Sequence, residues 1–550
     1  MQDDLSRRAL FVLLFLTLVA WFSTLDYRRL IKPDEGRYAE ISREMVVSGD
    51  WLTPRLNGIK YFEKPPLQYW ATAIAFKLFG FHEWTARLWT ALAGYLTVLV
   101  VWWTGRKLFG APAGLYAAMV LISNLYFVLM GHVNALDMGL TLFTTLALAG
   151  FCLAQREDAT RQEQKLGMHL TWAAMAFAVL SKGLIGIVLP GATLTLYSLL
   201  ARDWSPWRRL SLIPGMLIFL AIAAPWFVAV SMVNPEFPRF FFIQEHLLRY
   251  ATDEGRRMGP SYYFIPILLI GMLPWMVVMV DTLWRAMIER SKLDRPALIL
   301  LTWTIFVFIF FSISRSKLPS YILPLFPALA LLMGRHLAAL NASELKARIM
   351  PVGLILVAGV LFIAKTANDV RDPISRPLYQ EYGYWLYAAT AVTLCGVIYC
   401  LYQAAKSRKL AALIGFSTSG LVASLLALNG HNTLAPTNSS YDIAQQVRPL
   451  LTPGVPFYSV GTYDQTLPFY LNRTLTLVGY RDEFDYGLKQ QPELAIDSMD
   501  AFLARWAADK QALALMRPDD SETLRSQGLT MEVVFNDGKR VIVKKPGAVR

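Results

Sequence analysis

Apolar runs of 17 to 22 residues recur along the chain, and no feature of the sequence restricts its fold more. A run of that length matches the hydrocarbon thickness of a bilayer when helical, whereas the core of a soluble protein takes shorter segments of mixed polarity. Thirteen apolar spans, most of them of that length, can be marked near 9–25, 84–104, 112–130, 137–154, 168–181, 183–200, 210–232, 263–283, 297–313, 319–334, 349–365, 384–402 and 410–428. With 55% hydrophobic and 17% charged residues over 550 positions, the composition agrees. The expected fold is a polytopic α-helical membrane protein of about 13 transmembrane helices with a C-terminal soluble α/β domain.

Parity depends on the stretch 168–200, which is too long for one span and is broken at Ser181-Lys182-Gly183. Counted as two spans, it leaves short basic loops on the side of the N-terminus. These carry Arg7/Arg8, Arg106/Lys107, Arg156/Arg161/Lys165, Arg202/Arg208/Arg209, Arg285/Arg290/Lys292/Arg295, Arg335/Lys346/Arg348 and Lys406/Arg408/Lys409. Short basic loops mark the cytoplasmic face, so the N-terminus is expected inside and the C-terminus outside. The first apolar run is long for a signal peptide and lacks a small-x-small site, so it reads as an uncleaved span. The net charge of +13 is gathered in these loops, which points to anionic membrane lipid and away from a nucleic-acid partner. Cys152, Cys395 and Cys400 all lie in apolar runs, excluding a disulfide framework and a Cys-rich metal site.

The domain division expected is 1–435 for the membrane unit, including an outward loop at 26–83 with juxtamembrane helices, and 436–550 for the outer domain. Within the loop, residues 36–47 space Tyr38, Ile41, Met45 and Val46 at a helical period, predicting a surface-lying amphipathic helix. A second short helix is predicted from Pro65-Pro66 through LQYWATAIAFKLFG. In the outer domain VPFYSV and LPFYLNRTLTLV read as strands, MDAFLARWAADKQALAL as helix, and Asn536-Asp537-Gly538 as the centre of a hairpin.

Charged residues on the outward side supply the candidate chemistry. Asp34 and Glu35 open a helix beside Arg37, and Asp137 opens the fourth span; each aspartate can serve as a helix cap, as part of a site, or as both. Lys64, with Tyr61 and Glu63 in YFEKPP, is held rigidly before two prolines, and a fixed cation suits a phosphate. Lys182, between two apolar runs, needs an anion or water, while Arg249 and Lys317 are loop cations. Glu63 and His246 are the candidate metal ligands, but no HExxH, Cys/His spacing or DxD-type cluster supports a divalent ion. A P-loop and a dinucleotide fingerprint are also absent, so a soluble nucleotide donor is not expected.

PDEGRYAEISREMVVSGDWLTPRLNGIKYFEKPPLQYW after one span, then HVNALDMG and LSKGLIG, resembles the bacterial 4-amino-4-deoxy-L-arabinose lipid A transferases. These are C-type membrane glycosyltransferases related to protein O-mannosyltransferases. The resemblance implies an inner-membrane enzyme, expected as a monomer, that moves aminoarabinose from undecaprenyl phosphate to a lipid A phosphate on the periplasmic side and so confers polymyxin resistance. It implies Asp34 and Asp137 as the acidic pair. Arg37, Tyr38, Tyr61, Glu63, Lys64, Lys182, Arg249, Lys317 and Tyr321 are expected to bind lipid phosphate and substrate, with no cofactor required. A related transferase using another lipid-linked sugar or a protein hydroxyl acceptor is the alternative. A transporter would need matched broken helices in two halves, and only the break at Lys182 fits.

Overall fold

The computed structural model describes residues 7–248 and 259–546. Each of the thirteen apolar runs is helical, and seven of these helices are long and apolar enough to cross a membrane, or nine when two sharply bent pairs count as one span each. The bends fall where the sequence interrupts a helix. Asn124 accepts from the Phe127 amide and restarts the chain between Ala111–Ile122 and Leu125–Gly131, which meet at 67°. Phe264–Gly271 and Met276–Ile288 meet at 116° across Pro274. The break inside 168–200 ends Arg161–Lys182 at Gly183, whose φ of 86° suits glycine, before Ile185–Ala201 begins. Helices Leu212–Val233 and Ala342–Asn368 leave most of their apolar side chains facing outward, Leu354 and Leu361 among them. So wide an apolar surface belongs against lipid.

The loop before the second long helix folds into helices Asp34–Ser48 and Leu67–Phe79 around a small hairpin, β1 (Arg55–Leu56) and β2 (Ile59–Lys60). The second helix starts after Pro66 as expected. The first differs from a surface helix: from Glu35 to Met45 every residue is buried, because the C-terminal unit covers its polar face.

That C-terminal unit holds six strands, β3 (Phe457–Val460), β4 (Thr476–Val478), β5 (Ala495–Ile496), β6 (Leu513–Met516), β7 (Glu532–Asn536) and β8 (Val541–Lys544), in the order β5-β4-β3-β6-β8-β7. The first four are parallel, and β8 runs antiparallel to both β6 and β7. The hairpin at Asn536-Asp537-Gly538 forms where its turn residues place it. Two expected assignments change. Leu467–Leu471 is helical, since Pro468 sits in the first turn where a missing amide does no harm, and only Thr476–Val478 is strand. The helix Met499–Ala508 stops short, and the following apolar residues form the buried central strand β6.

Candidate active site

Helix Asp34–Ser48 is fixed at its first turn by an ion pair with no exposure on either side. The Arg87 guanidinium donates to both Glu35 oxygens, at 2.7 and 2.8 Å, and also to the carbonyls of Leu25, Arg28 and Arg29. Glu35 further accepts from the amides of Ile31 and Asn134. Burial pushes the Glu35 pKa up, but Arg87 outweighs it and the carboxyl is held down at about 2. Because Asn134 leads into the helix Leu136–Ala154, this latch sets Asp34 and Asp137 relative to one another.

Those two aspartates line a cavity of about 410 Å³, together with Arg37, Tyr38, Glu63, Lys64, Lys182 and Tyr321. Leu140, Val188, Phe310 and Phe311 continue its wall with apolar surface. Each of the three cations faces a carboxylate: Lys182 pairs with Asp137, Lys64 with Glu245 at 2.5 Å, and Arg37 with Asp34 at 3.0 Å and Glu483 at 2.6 Å. Neither aspartate is a cap, since the cap positions are Pro33 and Ala135 and no side-chain cap bond forms. The Lys182 ammonium also lies 4.8 Å from the centroid of the Tyr321 ring. Tyr38, Tyr61 and Tyr69 are buried close to Arg37, and burial raises all three phenols well above their ordinary value, so they stay protonated. The hydroxyls of Tyr61 and Tyr69 have no hydrogen-bond partner among the described residues.

Eight of the expected residues thus share one cavity, with Tyr61 close to it. Lys317 does not: its ammonium turns onto the carbonyls of Ser312 and Ser314 at the end of the helix Arg295–Ile313. Arg249 and the side chain of His246 lie outside the described residues. Among the described residues no group of three His, Cys, Asp or Glu side chains is placed to hold a metal ion. Glu245, Glu483, Arg87 and Tyr69 were not legible as site residues, while Glu35, read with Asp34 as candidate chemistry, turns out to hold the helix in place rather than line the cavity. Of the four, Tyr69, close behind the PP pair, carries a local signal.

This arrangement can bind an anionic head group attached to an apolar chain. The cations meet the anion in a setting of low water content, and the wall beside them accepts hydrocarbon. Comparison with known proteins agrees. Residues 443–545 match the family described as aminoarabinose transferase C-terminal domain, and residues 8–241 match that described as dolichyl-phosphate-mannose-protein mannosyltransferase. The undecaprenyl phosphate-alpha-4-amino-4-deoxy-L-arabinose arabinosyl transferase of Erwinia tasmaniensis is 33% identical over 74% of both chains, and that of Pectobacterium atrosepticum is 30% identical over 95% of both. The crystal structure of ArnT from Cupriavidus metallidurans bound to undecaprenyl phosphate superposes with a TM-score of 0.93, at 40% identity over 99% of each chain. An archaeal oligosaccharyltransferase, AglB from Archaeoglobus fulgidus, is 12% identical with a TM-score of 0.51 over 92% of this chain and 70% of its own, a likeness of fold alone. The C-type membrane glycosyltransferase fold, the lipid-facing helices and the matches at both ends of the sequence have one explanation: the chain belongs to the undecaprenyl phosphate-alpha-4-amino-4-deoxy-L-arabinose arabinosyl transferase family.

Proposed function

We propose that the chain transfers 4-amino-4-deoxy-L-arabinose from undecaprenyl phosphate to the phosphates of lipid A, and that it does so on the periplasmic face of the bacterial inner membrane. The added amine would offset lipid A charge and reduce binding of polymyxin-type peptides. The observation that carries this reading is the pairing of Arg37, Lys64 and Lys182 with carboxylates in one cavity whose remaining wall is apolar. A sugar leaving a polyprenyl phosphate deposits negative charge on the phosphate oxygen, and fixed cations at that point lower the barrier. Arg249 is assigned to the same group from the sequence, and Tyr321 to the position of Lys182. Lys317 is assigned only to bracing the cavity wall beside Ser316 and Leu318.

A phosphate acceptor is already anionic at neutral pH and requires no strong base. Asp34 and Asp137, freed from their cations when the donor phosphate arrives, would then take the sugar's ammonium group and orient the acceptor. The buried phenols of Tyr38 and Tyr61, kept neutral, are suited to donating hydrogen bonds to sugar or phosphate oxygens. With three cations supplying the charge, the mechanism requires no metal at Glu63. The C-terminal unit, near 436–550, would lie outside the membrane as a roof over the cavity, with the N-terminus cytoplasmic. Mass spectrometry of lipid A from cells with and without the chain tests the proposal. A gene-dependent aminoarabinose increment on a phosphate is expected, and an unchanged lipid A profile in cells that make the sugar donor would refute it.

A further inference from the structure

The C-terminal sheet has its reversal of strand order at β3: β4 and β5 lie to one side and β6 to the other. In open parallel sheets the carboxyl ends of the strands around such a reversal form a crevice that receives a ligand. Here the loops from the carboxyl ends of β3 and β4, residues 461–466 and 479–484, meet helix Asp34–Ser48 instead. The approach is close enough that a Cβ on Gly36 would lie 2.6 Å from the Gln465 carbonyl oxygen. The next segment reaches the opposite wall. Tyr486 donates to the Glu236 carbonyl and stacks on Phe240 at 3.8 Å, and the Lys60 amide donates to Gln491.

Glu483 stands between these contacts. Its side chain is 8% exposed; Oε1 accepts from Gln465 at 2.8 Å and Oε2 faces Arg37 Nε at 2.6 Å. The residue before it, Asp482, has a φ of 27°, a backbone conformation that a non-glycine residue holds only under constraint, and such constraint concentrates where a side chain must be aimed. Asp34 accepts from Arg37 Nη1 at 3.0 Å, and Glu483 lies against Nε as an ion pair without an aligned hydrogen bond, so the guanidinium is flanked by carboxylates on two sides.

We propose that Glu483 is a positioning residue. Held by Gln465, its carboxylate sets the Arg37 guanidinium in the orientation that meets the phosphate of a polyprenyl carrier, so that the C-terminal unit completes the binding site. This rests on the assignment of Arg37 to the phosphate. Burial raises the Glu483 pKa, and Arg37 and then the Gln465 hydrogen bond oppose the rise, so the ionised form at this buried position depends on those two partners.

The test is the affinity of the detergent-purified full chain for undecaprenyl phosphate. Glu483→Gln is expected to weaken binding about tenfold with the thermal unfolding midpoint unchanged, since the negative charge that holds the guanidinium is lost. Glu483→Asp should regain part of the loss. Gln465→Ala, which leaves the carboxylate in place but unsteadied, should give a smaller loss in the same direction. Asn57→Gly removes a different docking contact, the paired bonds of Asn57 with Leu475, and should alter affinity less than about twofold. In an Arg37→Ala background Glu483→Gln should have no further effect. Parental affinity in Glu483→Gln, or an equal loss in the Arg37→Ala background or in Asn57→Gly, overturns the proposal. Parental affinity in Arg37→Ala alone instead removes the phosphate assignment on which it rests.

Discussion

Two sets of ion pairs flank the first turn of helix Asp34–Ser48, and they differ in what surrounds them. The Glu35–Arg87 pair has no exposed surface, and its carboxylate and guanidinium are taken up by each other and by backbone groups. The Asp34–Arg37, Lys64–Glu245 and Lys182–Asp137 pairs border an open cavity, and most of them have part of a side chain accessible. The first set has nothing to exchange with and holds geometry. The second can trade a carboxylate for a phosphate, because water and ligand reach it. A buried pair broken on one side leaves an uncompensated charge, whereas a cavity-side group left alone is resolvated.

The largest effect is therefore expected from Arg87→Met or Glu35→Gln, each removing one partner of the sealed pair. A loss of about 3–5 kcal/mol is anticipated, visible as a large fall in the unfolding midpoint and loss of transfer together. The pH dependence has the same origin. With its pKa depressed, Glu35 contributes fully above its unfolded value of 4.5, and the contribution fades as pH falls through that range toward about 2. Unchanged stability in Glu35→Gln would remove the distinction between the two sets.

Substitutions in the second set should separate activity from stability. Lys182→Met and Lys64→Ala are expected to reduce kcat by about 100- to 1,000-fold, the effect of deleting one group aimed at developing charge. Their unfolding midpoints should stay within about 2 °C of the parent. Transfer assays paired with thermal melts check both halves, and a Lys182→Met enzyme that lost stability first would place that pair with the sealed one.

The difference between the two sets also explains what the sequence disclosed. PDEGR, YFEKPP and LSKG announce themselves because charge stands next to apolar or proline-rimmed segments, and the break at Lys182 was visible for the same reason. Glu245 and Glu483 were not visible, since they meet Lys64 and Arg37 from 181 and, by subtraction of 37 from 483, 446 positions away. The helix Asp34–Ser48 shows the limit of periodicity: apolar spacing located the helix, but its polar face is buried against Glu, Arg and the C-terminal unit, and polarity alone does not report exposure. Lys317 reads in the sequence as a loop cation, yet nearby carbonyls at a helix end claim its ammonium. In contrast, Asn57-Gly58 is a hairpin signal of the same kind as Asn536-Asp537-Gly538, set among charges that mask it.

An intermediate effect is expected where a carboxylate is buried without a cation of its own. Glu40 takes both bonds of Arg43, at 2.6 and 2.7 Å, leaving neighbouring Glu44, among the described residues, with the Gly58 amide on one oxygen and no hydrogen-bond partner on the other. Burial, then the Glu40 charge, raises the Glu44 pKa. A raised folded-state value means the protonated form is the stabilising one, so this contribution is complete below 4.5 and is lost as pH rises. Melts from about pH 6 to 9 should show the parent losing stability where Glu44→Gln does not. Parallel curves would show that Glu44 is ionised at no penalty.

The smallest effect marks the other end of the comparison. Glu532 and Lys544 face each other across β7 and β8 at 2.8 Å, close to the Lys182–Asp137 pair in chemistry but 52% and 42% exposed. In water the attraction between such charges is largely offset by their hydration and by the entropy of holding two long side chains. Glu532→Ala should change stability by less than about 0.5 kcal/mol, and raising the salt concentration should change parent and variant alike. A shift comparable to that of Glu35→Gln would mean that the presence of an opposite charge, rather than its isolation from water, governs these pairs, and the division between latch and site would have to be drawn on other grounds.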